Sequence, residues 1–95
     1  MTEHDEIACA HFRVRGQVQG VFFRASTEAV ALRLRLSGWV RNSENGDVEL
    51  VACGTVRQLD ELEKWLWQGP SNARVTGVQR APAAFQTFNG FEVRR

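Results

Sequence analysis

Apolar and polar residues alternate along residues 8–15, with Ala8, Ala10, Phe12 and Val14 on one side and Cys9, His11, Arg13 and Arg15 on the other. A period of two predicts a half-buried strand with a mixed outer face. On that face His11 is expected to be solvated or locally bonded. Over residues 22–36 the period becomes helical. Ala25, Ala29, Leu32 and Leu36 fall on one stripe, and Glu28, Arg33 and Arg35 are placed to face water. The run of Ala and Leu favours the helix despite Thr27 and Val30. Ser37-Gly38 is expected to stop it.

Two strands, at 39–43 and 47–53, are expected around Glu44-Asn45-Gly46, because Asn-Gly tolerates the positive φ of a type I′ hairpin turn. In the second, Val48, Leu50 and Ala52 alternate with Glu49, Val51 and Cys53. Thr55-Val56-Arg57-Gln58 then reads as a capping box, with Gln58 reaching back to Thr55. Leu59, Leu62 and Leu66 give the helix that follows a buried stripe, with Trp65 beside it, and Gly69-Pro70 ends it. Residues 74–81 form a fourth strand, weakened by Gly77 and closed by Pro82. Residues 83–89 read as a loop. A short strand at 90–94 follows, with Phe91 and Val93 inward. The tryptophans are expected in or beside the core.

This order, βαββαβ plus a short fifth strand, is α+β. Two split βαβ units interleave into one antiparallel sheet with both helices on one face, the ferredoxin-like plan. The first strand then runs beside the third, setting Arg15 near Asp47 and Cys9 near Cys53 on the helix-free face. A disulfide there competes with two free thiols. Cross-strand Cβ atoms sit ~4.5–5.5 Å apart, at or beyond the long end of what the bond accepts, and a reducing compartment opposes it.

Ninety-five residues, 43% of them hydrophobic, suffice for one modest core. The division expected is a flexible tail at 1–7 and a single domain at 8–95, with His4 a solvated tail residue. Twelve basic and eleven acidic residues leave a net charge of +1 without a polybasic run, so neither nucleic acid nor a membrane surface is an expected partner. No apolar run approaches the ~20 residues needed to cross a bilayer. The polar, acidic start, Met1 to Glu6, is unlike a secretory signal, so a cytoplasmic location is expected. His4 and His11 are not at ligand spacing and two cysteines do not suffice, so no metal or cofactor is expected.

The candidate chemistry lies between the first strand and the first helix. Gly16 and Gly20 allow the loop Gly16, Gln17, Val18, Gln19, Gly20, Val21 to curl its amides toward one point. The helix adds free N–H groups and partial positive charge there, a cradle for an anion such as phosphate. Arg24, in the first turn, is unfavourable beside that end of the dipole unless an anion is bound or its side chain is solvated. Its planar fork suits two phosphate oxygens. In the ferredoxin-like plan Asn42 reaches the same end of the sheet, either to hold a water against phosphorus or merely to precede a turn. No serine or cysteine nucleophile stands with a histidine, and no carboxylate pair stands out. A phosphatase so equipped suits a labile bond such as an acyl phosphate, whose carboxylate departs without a general acid.

Gly16-x-Val18-Gln19-Gly20-Val21-x-Phe23-Arg24 resembles the first signature of the acylphosphatase family at every fixed position. Gly38-Trp39-Val40-Arg41-Asn42, with Gly46, Val48 and Gly54, resembles its second. The likeness runs from about Ala8 to Arg94, departing at Ser43, where threonine is frequent and the hydroxyl is retained. It implies hydrolysis of acyl phosphates to a carboxylate and inorganic phosphate without metal or cofactor. It also implies Arg24 and Asn42 as catalytic residues and residues 16–21 as the phosphate loop, water attacking in line. A monomer is the plainest expectation. Two rivals remain: a phosphate- or acyl-phosphate-binding module without catalysis, opposed by the joint presence of Arg24 and Asn42, and an RNA-binding module, opposed by the lack of exposed aromatics for stacking.

Overall fold

The alternation of the first strand is realised in the computed structural model, which describes residues 6–95. Ala10, Phe12 and Val14 are buried in the main core, while Cys9 belongs to a second cluster on the other face. The elements are β1 (Ile7–Gln17), α1 (Phe23–Arg33), β2 (Ser37–Asn42), β3 (Val48–Thr55), α2 (Val56–Gln68), β4 (Arg74–Ala83) and β5 (Phe91–Val93). They form one sheet in the order β4-β1-β3-β2-β5. Four strands are antiparallel; β5 lies parallel to β2, so the sheet is mixed instead of wholly antiparallel. The core from β1, β2 and β3 packs against Phe23, Val30 and Ala31 of α1 and Leu59, Leu62 and Leu66 of α2. Both helices therefore cover one face, the ferredoxin-like α+β arrangement. Of the expected tail, residues 1–5 lie outside the described residues, His4 among them, while Ile7 already pairs with Thr55.

Several local expectations are corrected. The buried face of α1 is Phe23, Thr27, Val30 and Ala31, and Leu32 of the expected stripe is 52% exposed. Apolar residues surround this helix, so periodicity alone does not choose a face. Phe23 chooses it, its ring 5.6 Å from Trp65. Thr27 is tolerated there because its hydroxyl donates to the Phe23 carbonyl at 2.8 Å. Nor does Gly38 stop the helix. Arg35 takes φ 63°, its N–H donating to the Leu32 carbonyl and that of Leu36 to the Ala31 carbonyl, a Schellman ending with Leu36 buried. Gly38 instead lies in β2 at φ 143°, where a Cβ would strike the Val51 carbonyl.

The hairpin turn is also not type I′. Asn45 has no positive φ; only Gly46 does, at 95°. Gly46 N–H donates to the Ser43 carbonyl, and the Asn45 side chain accepts from Asp47 N–H at 3.2 Å, so asparagine serves through its side chain. β4 runs through Pro82, which an edge strand accommodates. In β5, Phe91 is buried but Val93 is 40% exposed. Trp65 edges the core and Trp39 carries the guanidinium groups of Arg41 and Arg94 over its ring at 5.2 and 5.1 Å, whereas Trp67 is exposed. The capping box of α2 is complete, Thr55 N–H donating to Gln58 and Gln58 N–H to Thr55.

Cys9 and Cys53, cross-strand partners, form a disulfide beneath Val51 and Trp39 on the helix-free face. It closes a loop across 44 positions of sequence. For a loop of that size, constraint of the unfolded chain contributes about 4 kcal/mol. Reduction, or Cys53→Ala, is therefore expected to lower the urea midpoint of unfolding; equal midpoints with and without reductant would contradict this.

On the same face Glu49 gathers His11, Arg13 and Arg41. His11 Nε2 lies 2.8 Å from one carboxylate oxygen, Arg41 Nε donates to the other at 2.8 Å, and Arg13 donates at 3.3 Å. The His11 hydrogen bond, then the Arg41 hydrogen bond and charge, hold the Glu49 carboxyl below the usual carboxylate range against the opposing effect of burial. A folded-state value depressed in this way adds stability above the unfolded carboxylate pKa, and that stability disappears as pH falls through the folded value. Glu49→Gln is thus expected to destabilise near neutrality, with the deficit shrinking on acidification; urea midpoints measured from neutral to acid pH check it.

Candidate active site

The loop between β1 and α1 begins with a break in register. β1 shifts against β4 between Arg15 and Gly16, and Gly16, at φ 125°, leaves no room for a Cβ beneath the Arg74 carbonyl. Gly16 and Gln17 are consequently strand residues, paired with Val75 and Arg74. The chain then drops Val18 into the core, 1% exposed, which anchors the loop from below. Gly20 turns it at φ 76°, and Phe22 enters α1 at φ 62° with no side-chain cap.

Among the described residues, no backbone amide from Val18 to Ala25 donates to a protein acceptor; Ser26, bonded to the Phe22 carbonyl at 3.0 Å, is the first. The first turn of α1 also carries no acidic residue. Its end therefore keeps free donors and partial positive charge where most helices present a cap.

Four hydrogen bonds fix the loop and the start of α1 relative to the sheet. Gln19 Nε2 donates to the carbonyls of Ser43 (2.8 Å) and Asp47 (2.9 Å), bracing the loop against the β2–β3 hairpin. Arg24 Nη1 donates to the Arg94 carbonyl at 3.0 Å, and Arg94 N–H donates to the Val40 carbonyl at 2.7 Å. The segment after β5 thus ties Arg24 to β2, two residues from Asn42. The Asn42 Oδ1 is buried and accepts no hydrogen bond from any described residue. An orphan acceptor costs about 1–3 kcal/mol.

Val18, Gly20, Arg24 and Asn42 line one pocket of about 280 Å³. The structure thus joins two of the six expected loop residues with both expected catalytic residues. Gln19 and Val21 are not among its lining residues, and Gly16 and Gln17 remain in β1. Phe22, Phe23, Ala25 and Val93 complete its walls, unanticipated from the sequence. Alternation of Phe91 and Val93 was the only signal for the last, and it pointed inward.

The family model described as acylphosphatase matches residues 10–93. The chain belongs to the acylphosphatase family. An acylphosphatase of Coxiella burnetii (strain RSA 493 / Nine Mile phase I) is 46% identical over 86 residues, 90% of each chain. One of Xanthomonas campestris pv. campestris (strain 8004) is 50% identical over 82 residues, 86% of this chain and 93% of the relative. The solved structure of an acylphosphatase from Coxiella burnetii superposes with a TM-score of 0.90 at 45% identity, covering 93% of both chains. Family membership and fold agree with the resemblance carried by the two signatures. No described helix is long and apolar enough to cross a membrane.

Proposed function

We propose that this acylphosphatase hydrolyses the carboxyl–phosphate bond of acyl phosphates through Arg24, Asn42 and the amides of the loop. The carrying observation is that Asn42, whose Oδ1 has no protein partner, and Arg24 line one pocket at the uncapped start of α1. The amides and the Arg24 fork hold the phosphate oxygens. Asn42 Oδ1 accepts a hydrogen bond from water and fixes it in line with phosphorus. As the water oxygen bonds to phosphorus, the bond to the acyl oxygen breaks and its electron pair leaves with the carboxylate. The water proton passes to a phosphate oxygen of the substrate, so no separate base is required. The loop's fixed dipoles and Arg24 stabilise the charge that develops, with no step assigned to a metal or cofactor.

Action as a monomer is part of this reading. Residues 8–95 act as one domain in this reading, joined by Ile7, which already pairs in β1. A cytoplasmic location is part of it, because acyl phosphates are labile anions that do not cross a bilayer unaided; burial of Cys9 and Cys53, each 5% exposed, shields their bond from the reductants there. The decisive experiment is hydrolysis of benzoyl phosphate by the purified protein, followed by ultraviolet absorbance with chelator present. Turnover that survives chelator supports the reading. A folded protein that binds inorganic phosphate without turnover is a binding module instead.

A further inference from the structure

Two observations at the site are left over once phosphate and water are placed. Phe22 is 80% exposed and sits at φ 62°, where a bulky side chain is a conformational outlier. Among the described residues only Arg35 shares that region outside glycine, and the Schellman ending of α1 accounts for it. Phe22 has no such account: its side chain caps nothing, and glycine or asparagine would relieve both the backbone and the exposed ring. The second observation is Val93, 40% exposed at the end of β5. Of the six large hydrophobic side chains exposed among the described residues, these two alone line the pocket that holds Arg24 and Asn42.

We propose that Phe22 and Val93 form the seat of the acyl group, and that the enzyme selects acyl phosphates bearing an apolar chain or ring. The inference rests on the function proposed above. The phosphate is fixed at the amides and Arg24, so the acyl group must leave the cradle toward the mouth of the pocket. The walls there are the Phe22 ring, the Val93 methyl groups and Ala25, with no carboxylate and with Arg24 the single charged residue. Arg24 is committed to the phosphate and to the Arg94 carbonyl. A charged acyl terminus would lose hydration against these walls without gaining a partner, whereas an apolar one removes apolar surface from water. Val93 reaches the site because β5 pairs with β2 in register Val40↔Val93, so the strand that secures Arg24 also supplies this contact.

The test compares kcat/KM for benzoyl phosphate with kcat/KM for acetyl phosphate in wild type, Phe22→Asn and Val93→Ser. Intrinsic reactivity cancels when this ratio is compared between proteins. Each substitution is expected to lower the benzoyl-to-acetyl ratio about tenfold, the lower end of what an apolar pocket contact confers. Asparagine is chosen because it tolerates the backbone of position 22. Competitive inhibition by inorganic phosphate, which reads the cradle alone, is expected to stay near the wild-type value. If phosphate inhibition is lost in Phe22→Asn, the loop itself has shifted and Val93→Ser decides. An unchanged ratio in Val93→Ser, with phosphate inhibition retained, overturns the inference and leaves the hydrolase reading standing. A wild-type protein that turns over neither substrate brings down both.

Discussion

Arg24→Ala is expected to lower kcat/KM for benzoyl phosphate by at least about 10²-fold, since each of the two charge-assisted hydrogen bonds lost contributes about 1.5–3 kcal/mol. Most of it should appear in KM. The guanidinium is held open toward the pocket by a single bond to the Arg94 carbonyl, leaving its remaining donors for phosphate oxygens. Those contacts exist in the ground state as well as in the transition state, so their loss weakens binding first. Lysine at this position restores the charge but not the planar fork, and Arg24→Lys should recover only part of the activity. The inhibition constant for inorganic phosphate checks the assignment: it should rise in parallel with KM. A large loss of kcat at unchanged phosphate affinity would mean that Arg24 acts on the transition state alone.

Asn42→Ala is expected to do the reverse. Asn42 lines the pocket and its Oδ1 is buried without a protein partner, so a small shift of the side chain offers a neutral acceptor suited to a water and not to the phosphate. Losing the orienting acceptor should lower kcat by about 10²-fold, in line with the cost of misplacing one reacting group. Phosphate inhibition should hardly change. Because alanine also removes a buried unsatisfied acceptor, the variant is expected to be at least as stable as the wild type, which separates a catalytic loss from a folding defect. Asn42→Asp is informative beside it, since a carboxylate also accepts hydrogen bonds but would repel a phosphate anion. Abolished phosphate binding in folded Asn42→Ala would sink the water-positioning role.

The two effects also explain why the remaining loop contacts matter. Gln19, bonded to the Ser43 and Asp47 carbonyls, sets the distance between the cradle and Asn42. Arg94, through its backbone, sets the distance between Arg24 and β2. The sequence places Gln19 in the loop but not its bonds to the hairpin, and it does not point to Arg94, because both ties end on main-chain carbonyls brought close across long separations.

What the sequence determined by itself was whatever depends on short-range physics. Period-two alternation placed the faces of β1 and β3, the capping box and Gly69-Pro70 bounded α2, and the fold plan set Cys9 opposite Cys53. The two signatures identified the family and pointed to Arg24 and Asn42. What only the tertiary structure decided were choices left degenerate by local pattern. α1 is apolar on several sides, and packing of Phe23 against Trp65 selected its buried face. The Cys9 and Cys53 thiols were open to either state until the sheet register bonded them. β5 could have paired anywhere; docking parallel to β2 made the sheet mixed, put the Arg94 carbonyl on Arg24 and left Val93 at the mouth of the pocket. Such contacts join residues as many as 70 positions apart, and no window of local periodicity carries their energies.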